Sequence, residues 1–391
     1  MKEHQSRYQR IPLIIAFQET SQYKDTYAGE IGTVALTAHL LKSNISSGKS
    51  VVVFMHPTGG GSYLPMLNSL AKQGIDTVWC DSRYRGTDSA LIMEKVLIDL
   101  GQCIKHLKGV LNYEKVILGG WSGGGSLSLF YQSQAENTSI KETPAGDPID
   151  LISENFIPAD GVMLIAAHES RHRTFTEWLD GSVLDEGDPE KRYIELDIYD
   201  KNNPNQPEYS NDFITAYRAS QIERNRKITT WVQEKLNDYK TKGENNRELG
   251  FVVHRTMADP KWLDISIDPN GRQPNWCFLG DPETVNNSPI GLGRFCSLRS
   301  WLSQWSYDLA QGDGINCAKK ISVPSLVIGN TADDGITPSH TKNLYDAIGH
   351  ENKSLNWIEG ANHYYFGQPD KSNEASLVCK SWLEEKNLID E

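Results

Sequence analysis

Apolar residues recur along this chain in two alternating rhythms. Short apolar runs of strand character stand at 11–17, 33–41, 51–55, 77–81, 116–118 and 161–167, and again at 325–329 and 354–358. Between them, apolar residues return at helical spacing: 62–73 closing at Gly74, 93–111 with Val96, Leu97, Leu100, Ile104 and Leu107, 126–134, 340–348 and 373–386. The runs 51–55 and 161–167 are apolar at nearly every position, as expected of strands covered on both faces. Strands alternating with helices at this interval predict a mostly parallel twisted sheet with helices on both sides.

The alternation breaks at His168. From 168 to 320 the chain is richer in Trp, Tyr, Asp, Asn and Arg, and its one strand-like run is short, 250–254. A long helix is expected at 211–240 and another at 295–311. The expected organisation is therefore a core in two parts, 1–167 and 321–391, with a mainly helical unit at 168–320 inserted between them. In the long helix, the aromatic and aliphatic positions are expected to form the core of that unit, and most of Arg218, Arg224, Arg226 and Lys227 a solvated face.

Composition narrows the function. With 391 residues, 38% hydrophobic and 23% charged, the chain has the make-up of an ordinary globular protein and length for a full core. A net charge of −12 argues against nucleic acid as a partner and gives no support to an anionic membrane surface. No stretch approaches the roughly 18 apolar residues of a membrane span. The run 11–17 follows two arginines but contains Pro12 and lacks a small-residue cleavage site, so it is read as a first strand rather than a signal peptide. Six scattered cysteines, with no Cys-x-x-Cys, point to free thiols in a reducing compartment, hence a cytoplasmic location.

The most informative stretch is Val116-Ile117-Leu118-Gly119-Gly120-Trp121-Ser122-Gly123-Gly124-Gly125. An apolar strand runs into a glycine-rich turn carrying one serine, and a helical pattern follows: Gly-x-Ser-x-Gly in the strand–turn–helix context its chemistry needs. Glycines let strand and helix approach closely, and the helix start aims the Gly123 amide at any oxyanion formed on Ser122. A phosphate cradle is the competing use of such a turn, but no Lys-Ser or Lys-Thr follows, and no Gly-x-Gly-x-x-Gly opens the helix.

A serine needs a base, and the base a carboxylate to orient it. Two later loops offer both. Asn330-Thr331-Ala332-Asp333-Asp334-Gly335-Ile336-Thr337-Pro338 follows one strand, and Glu359-Gly360-Ala361-Asn362-His363-Tyr364 follows the last. With serine, acid and histidine in this order, the chain resembles the α/β-hydrolase superfamily over roughly 50–167 and 321–388. The resemblance implies the α/β-hydrolase fold, with the unit 168–320 as a cap after the sixth core strand. It implies a triad of Ser122, His363 and an acid four residues before a proline, which favours Asp334 over Asp333. It also implies a second oxyanion donor in the loop His56-Pro57-Thr58-Gly59. Pro57 has no N–H, so Thr58 or Gly59 is expected to supply it. The turn Asp81-x-Arg83-x-x-Gly86 resembles one common in that superfamily and is read as structural.

His168-Glu169-Ser170-Arg171-His172 matches the zinc-peptidase pattern His-Glu-x-x-His. Zinc chemistry needs both histidines one turn apart on a helix, and here the motif begins directly at a strand end with no third ligand at a definite spacing. It is read as a polar loop at the mouth of the site, with His168 or His172 facing substrate. Trp121 in the elbow and Trp301 and Trp305, one helical turn apart, are the other candidate substrate contacts.

Together these features predict a serine hydrolase acting on a small-molecule acyl substrate, a carboxylic ester, lactone or thioester, without metal or cofactor. A homodimer stays open. Amide or carbon–carbon bond hydrolysis on the same triad is the nearest alternative. A zinc hydrolase and a non-catalytic ligand-binding relative come after it.

Overall fold

The computed structural model describes residues 7–19 and 32–390. Eight strands make the main sheet: β1 (Tyr8–Gln18), β2 (Thr33–Ser43), β3 (Ser50–Phe54), β4 (Asp76–Cys80), β5 (Lys115–Ser122), β6 (Gly161–Ala167) and, after a small separate ribbon of β7 (Gly250–Val252) with β8 (Phe295–Ser297), β9 (Ser325–Asn330) and β10 (Lys353–Ile358). Their order across the sheet is β1-β2-β4-β3-β5-β6-β9-β10. The edge strands β1 and β2 are antiparallel to each other, and β2 is antiparallel to β4. Every pairing from β4 to β10 is parallel.

Parallel neighbours require crossovers, and helices supply them. In chain order these are α1 (Pro65–Lys72), α2 (Met93–Gly109), α3 (Gly123–Glu136), α4 (Arg171–Trp178), α5 (Asn211–Thr241), the short α6 (Pro260–Leu263), α7 (Pro282–Asn287), α8 (Leu298–Ser300) and α9 (Gly314–Ala318), then α10 (Pro338–Ala347) and α11 (Pro369–Glu385). The period of two along each buried strand sorts its side chains between two cores. Val51, Val53, Val116, Leu118, Val162 and Leu164 meet α2, α3, α9 and α10 on one face. Val52, Phe54, Ile117, Met163 and Ile165 meet α1 and α11 on the other. A sheet filled on both sides explains why its central strands read as unbroken apolar runs.

Residues 168–320 leave the carboxyl end of β6 and hold most of three smaller apolar clusters. The 31-residue α5 is started by Ser210, whose hydroxyl accepts the Phe213 amide at 3.2 Å. It buries Phe213, Tyr217, Gln221, Arg224, Asn225, Ile228, Val232 and Leu236 along one stripe. The expected solvated face of α5 is only half right. Arg226 and Lys227 are exposed in surface ion pairs, but Arg224 is buried, forks onto Glu186 at 2.6 and 2.8 Å, and donates to three carbonyl oxygens of the unit.

The long helix expected at 295–311 does not form. The strand β8 and the single turn α8 lead into one π-helical turn at Trp301–Trp305, closed by the Ser306 amide on the Trp301 carbonyl at 2.9 Å. The wider turn seats both indoles in the same core: Phe175 lies 4.6 Å from Trp305 and 5.7 Å from Trp301, ring to ring. Helical periodicity saw the right buried residues and the wrong backbone.

Candidate active site

The elbow is built by close approach. Ser122 ends β5 with φ 52° and ψ −127°, a conformation an L-residue adopts only when its surroundings impose it. The imposition is visible in the packing on either side. A methyl group on Gly120 would lie 2.6 Å from the Gly125 Cα, and one on Gly124 would lie 2.5 Å from the Met55 carbonyl oxygen. Both obstacles are backbone and cannot swing aside. Gly120→Ala is therefore expected to cost about 1–3 kcal/mol in stability by chemical denaturation, the range for forcing a methyl into a filled interior. A loss below about 0.5 kcal/mol would show that the turn is looser than this packing implies.

Loops at the carboxyl ends of β9 and β10 bring an acid and a histidine to the same point. His363 Nε2 stands 3.1 Å from Ser122 Oγ, and His363 Nδ1 stands 2.9 and 3.1 Å from the two carboxylate oxygens of Asp333. All three side chains are buried. The carboxylate on the imidazole is thus Asp333, not the expected Asp334. Asp333 is locked in place because its Oδ1 also accepts the amides of Gly335 and Ile336 at 2.8 and 2.7 Å. Asp334 instead presents its main-chain carbonyl to Trp262 Nε1 at 2.8 Å. Its carboxyl is pushed up to about 6 by burial and by the negative charge of Asp333 beside it.

The two amides expected to supply the second oxyanion donor, those of Thr58 and Gly59, turn into their own loop. Pro57 bends the chain into a turn closed by the Gly59 amide on the His56 carbonyl at 2.8 Å, and the Thr58 amide turns back onto His56 Nδ1 at 3.3 Å. Both amides are spent within their own loop. The Gly123 amide, among the first of α3, has no carbonyl within its helix to pair with.

Aromatic rings support the histidine. Trp121, expected to contact substrate, packs 5.0 Å from the His363 ring and donates its Nε1 to the His363 main-chain carbonyl at 3.2 Å, which ties the histidine loop to the elbow. Tyr364 meets both rings. From the inserted unit, Phe278 comes within 6.2 Å of His363, and His168 within 6.4 Å. Trp301 and Trp305 are fully buried in the inserted unit and are not the pocket wall they were expected to be; Trp301 Nε1 is bound to Thr229 Oγ1 at 2.9 Å.

Charge around the serine is unusual. Burial opposes a charged His363, but the Asp333 carboxylate outweighs it, so the imidazole holds its proton more tightly than an ordinary histidine. His56 is the reverse: burial, with the cations of Arg171 and His363 nearby, pushes it down to about 3. Burial first, and then the neighbouring histidines, hold His168 well below the usual range too. Arg171 is brought down to about 10 by burial. Sequence reasoning passed over His56 and Arg171, although both stood inside motifs it had singled out.

The His-Glu-x-x-His pattern does not lie on one helix. The helix α4 begins only at Arg171, which leaves His168 in the site, Glu169 accepting from Asn343 Nδ2 at 2.6 Å, and His172 turned to Asp313 at 3.7 Å. Among the described residues no three His, Cys, Asp or Glu side chains gather as a metal-binding group. Among them also, no helix is long and apolar enough to cross a membrane.

No family model matches the chain, and no curated protein sequence does. Solved structures do. The α/β hydrolase GrgF from Penicillium sp. sh18 superposes with a TM-score of 0.52 at 12% identity, covering 96% of this chain and 99% of its own. DcsB, solved in complex with its substrate analogue, gives a TM-score of 0.51 at 12% identity over 97% of this chain and 99% of its own.

Proposed function

The chain has the α/β-hydrolase fold, and on that fold we propose that it is a serine hydrolase cleaving carboxylic esters, lactones or thioesters through an acyl-enzyme on Ser122. Fold alone does not select a reaction. The observation that carries the proposal is the unbroken hydrogen-bond chain from Ser122 Oγ through His363 to Asp333. Ser122 Oγ attacks the acyl carbon and its proton passes to His363 Nε2. The carbonyl electron pair moves onto oxygen, facing the Gly123 amide. Collapse expels the leaving alcohol, which takes the proton back from His363; water then repeats the cycle to free the acid. Asp333 fixes the tautomer and steadies the imidazolium.

The test is activity-based labelling with a fluorophosphonate, read at Ser122 by peptide mass, followed by a panel of esters, thioesters and amides graded by acyl length. Labelling at Ser122 with ester turnover is expected. A protein that turns over none of the panel and leaves Ser122 unlabelled would exclude the proposal.

The pH profile follows from the same geometry. A general base must be neutral, and the Asp333 charge favours the protonated imidazole, so activity is lost as pH falls through the raised pKa of His363. The acid limb of kcat/KM is expected to have its midpoint above 6.5, the ordinary histidine value. Asp334→Asn removes a second negative charge that holds His363 up and should lower that midpoint without abolishing the limb. A wild-type midpoint well below 6.5 would count against His363 as the base.

A further inference from the structure

With both expected loop amides engaged, the Gly123 amide is the expected main-chain donor that remains, and two side chains occupy the adjoining space. A methyl group on Gly123 would lie 2.7 Å from His56 Nε2 and 3.2 Å from Arg171 Nη1. These two nitrogens therefore converge on the face of the residue whose amide starts α3. Resting on the serine-hydrolase reading above, we propose that His56 Nε2–H and the Arg171 guanidinium complete the oxyanion hole in place of a second main-chain amide, as catalytic donors to the carbonyl oxygen under attack.

Each side chain is prepared for that role by its partners. The Thr58 amide donates to His56 Nδ1, which leaves the ring proton on Nε2, facing the elbow. Thr58 Oγ1 at 2.9 Å holds the same nitrogen. Arg171 is 5% exposed, stacked on the Trp305 ring at 4.4 Å, with Nη2 on Gln304 Oε1 at 2.9 Å. Its nearest carboxylate, Asp88, stands 3.8 Å away, beyond a close ion pair, and Arg171 Nε is buried with no hydrogen-bond partner among the described residues. The arginine is also the first residue of α4, where the helix dipole disfavours a cation. A buried, underpaired guanidinium in such a place is costly unless an anion forms beside it, and an attacked acyl group forms one. Burial first, and then the charge of Arg171, keep His56 from protonating, so it stays a neutral donor.

The test compares wild type, Arg171→Met and His56→Phe, which keeps a ring but removes its N–H, on two activated esters, p-nitrophenyl butyrate and p-nitrophenyl hemisuccinate, with fluorophosphonate labelling and thermal melting alongside. Each substitution is expected to lower kcat about 10²–10³-fold on both esters with KM nearly unchanged, the scale for removing one oxyanion donor, and to slow labelling in parallel. His56→Phe changes no residue of α4, so it keeps the test decisive if Arg171→Met fails to fold. Wild-type kcat on the neutral ester in a folded variant overturns the proposal. So does a loss confined to the hemisuccinate, which would make the guanidinium an anchor for a substrate carboxylate. Either result leaves the serine-hydrolase reading standing so long as wild type is labelled at Ser122. Absence of that label in wild type overturns the reading and the proposal together.

Discussion

Ser122→Ala is expected to lower kcat on any ester the protein hydrolyses by about 10⁴–10⁶-fold and to abolish fluorophosphonate labelling, while melting temperature barely moves. The size follows from what is removed. Without Oγ there is no acyl-enzyme, and His363 Nε2 loses the hydroxyl 3.1 Å away whose proton it would take. What persists is binding and the pre-set donors around the elbow, which still favour attack by water over the same reaction in bulk solvent. The double variant Ser122→Ala/His363→Ala should be no worse than either single one, because the two act as one unit. Losses that multiply would mean that serine and histidine contribute separately, and the relay mechanism would be wrong. The φ of 52° at position 122 makes Ala no more comfortable than Ser, so a large drop in stability is not expected from the backbone.

The sheet was legible from sequence because its central strands are buried on both faces. The expectation of a strand at 161–167 matches β6 to the residue, and the runs at 51–55, 77–81 and 325–329 fall within one position of β3, β4 and β9. A strand packed on both sides writes its whole length in apolar letters. The elbow was legible for a similar reason: only glycine fits where strand and helix backbones meet at Gly120 and Gly124. The inserted unit was less so. Much of its interior is polar, with Arg224 and Arg255 buried in ion pairs with Glu186, Asp180 and Asp197, and a pattern of apolar positions cannot predict a core held by guanidinium groups. The turn at Trp301–Trp305 shows the same limit, since periodicity does not distinguish an α-helical from a π-helical turn when both bury the same two indoles.

The site divides along that line. Ser122 and His363 stood in loops whose surroundings pointed to them. Arg171 and His56 did not, because their importance comes from a meeting across the sheet edge that no local pattern encodes. Arg171 belongs to a motif whose histidines drew attention to zinc, while the residue between them is the one that reaches the elbow. His56 was noted only as the neighbour of Pro57, and it is the proline turn that releases its Nε2 toward Gly123.

The adjacent acids give the sharpest remaining contrast. Asp333→Asn is expected to lower kcat/KM by about 10³–10⁴-fold, and Asp334→Asn by less than about tenfold. A rule of spacing to a following proline selects Asp334, but spacing fixes only where the chain can turn, and geometry fixes which carboxylate faces inward. Asp333 touches His363 Nδ1 with both oxygens, at 2.9 and 3.1 Å, and takes two amides from the loop it closes. An amide side chain in its place would present an N–H to a nitrogen that needs an acceptor, and would stabilise the wrong tautomer. Those same loop bonds make a secondary loss of stability foreseeable for Asp333→Asn, so a Tm measured beside the kinetics separates the two effects. Asp334, one residue on, acts on the imidazole only through its charge, and its tendency to protonate near pH 6 makes even that contribution partial. Equal losses at both positions would mean the loop rearranges when substrate binds. A greater loss at Asp334 would assign the carboxylate that orients His363 to the residue the proline spacing selects.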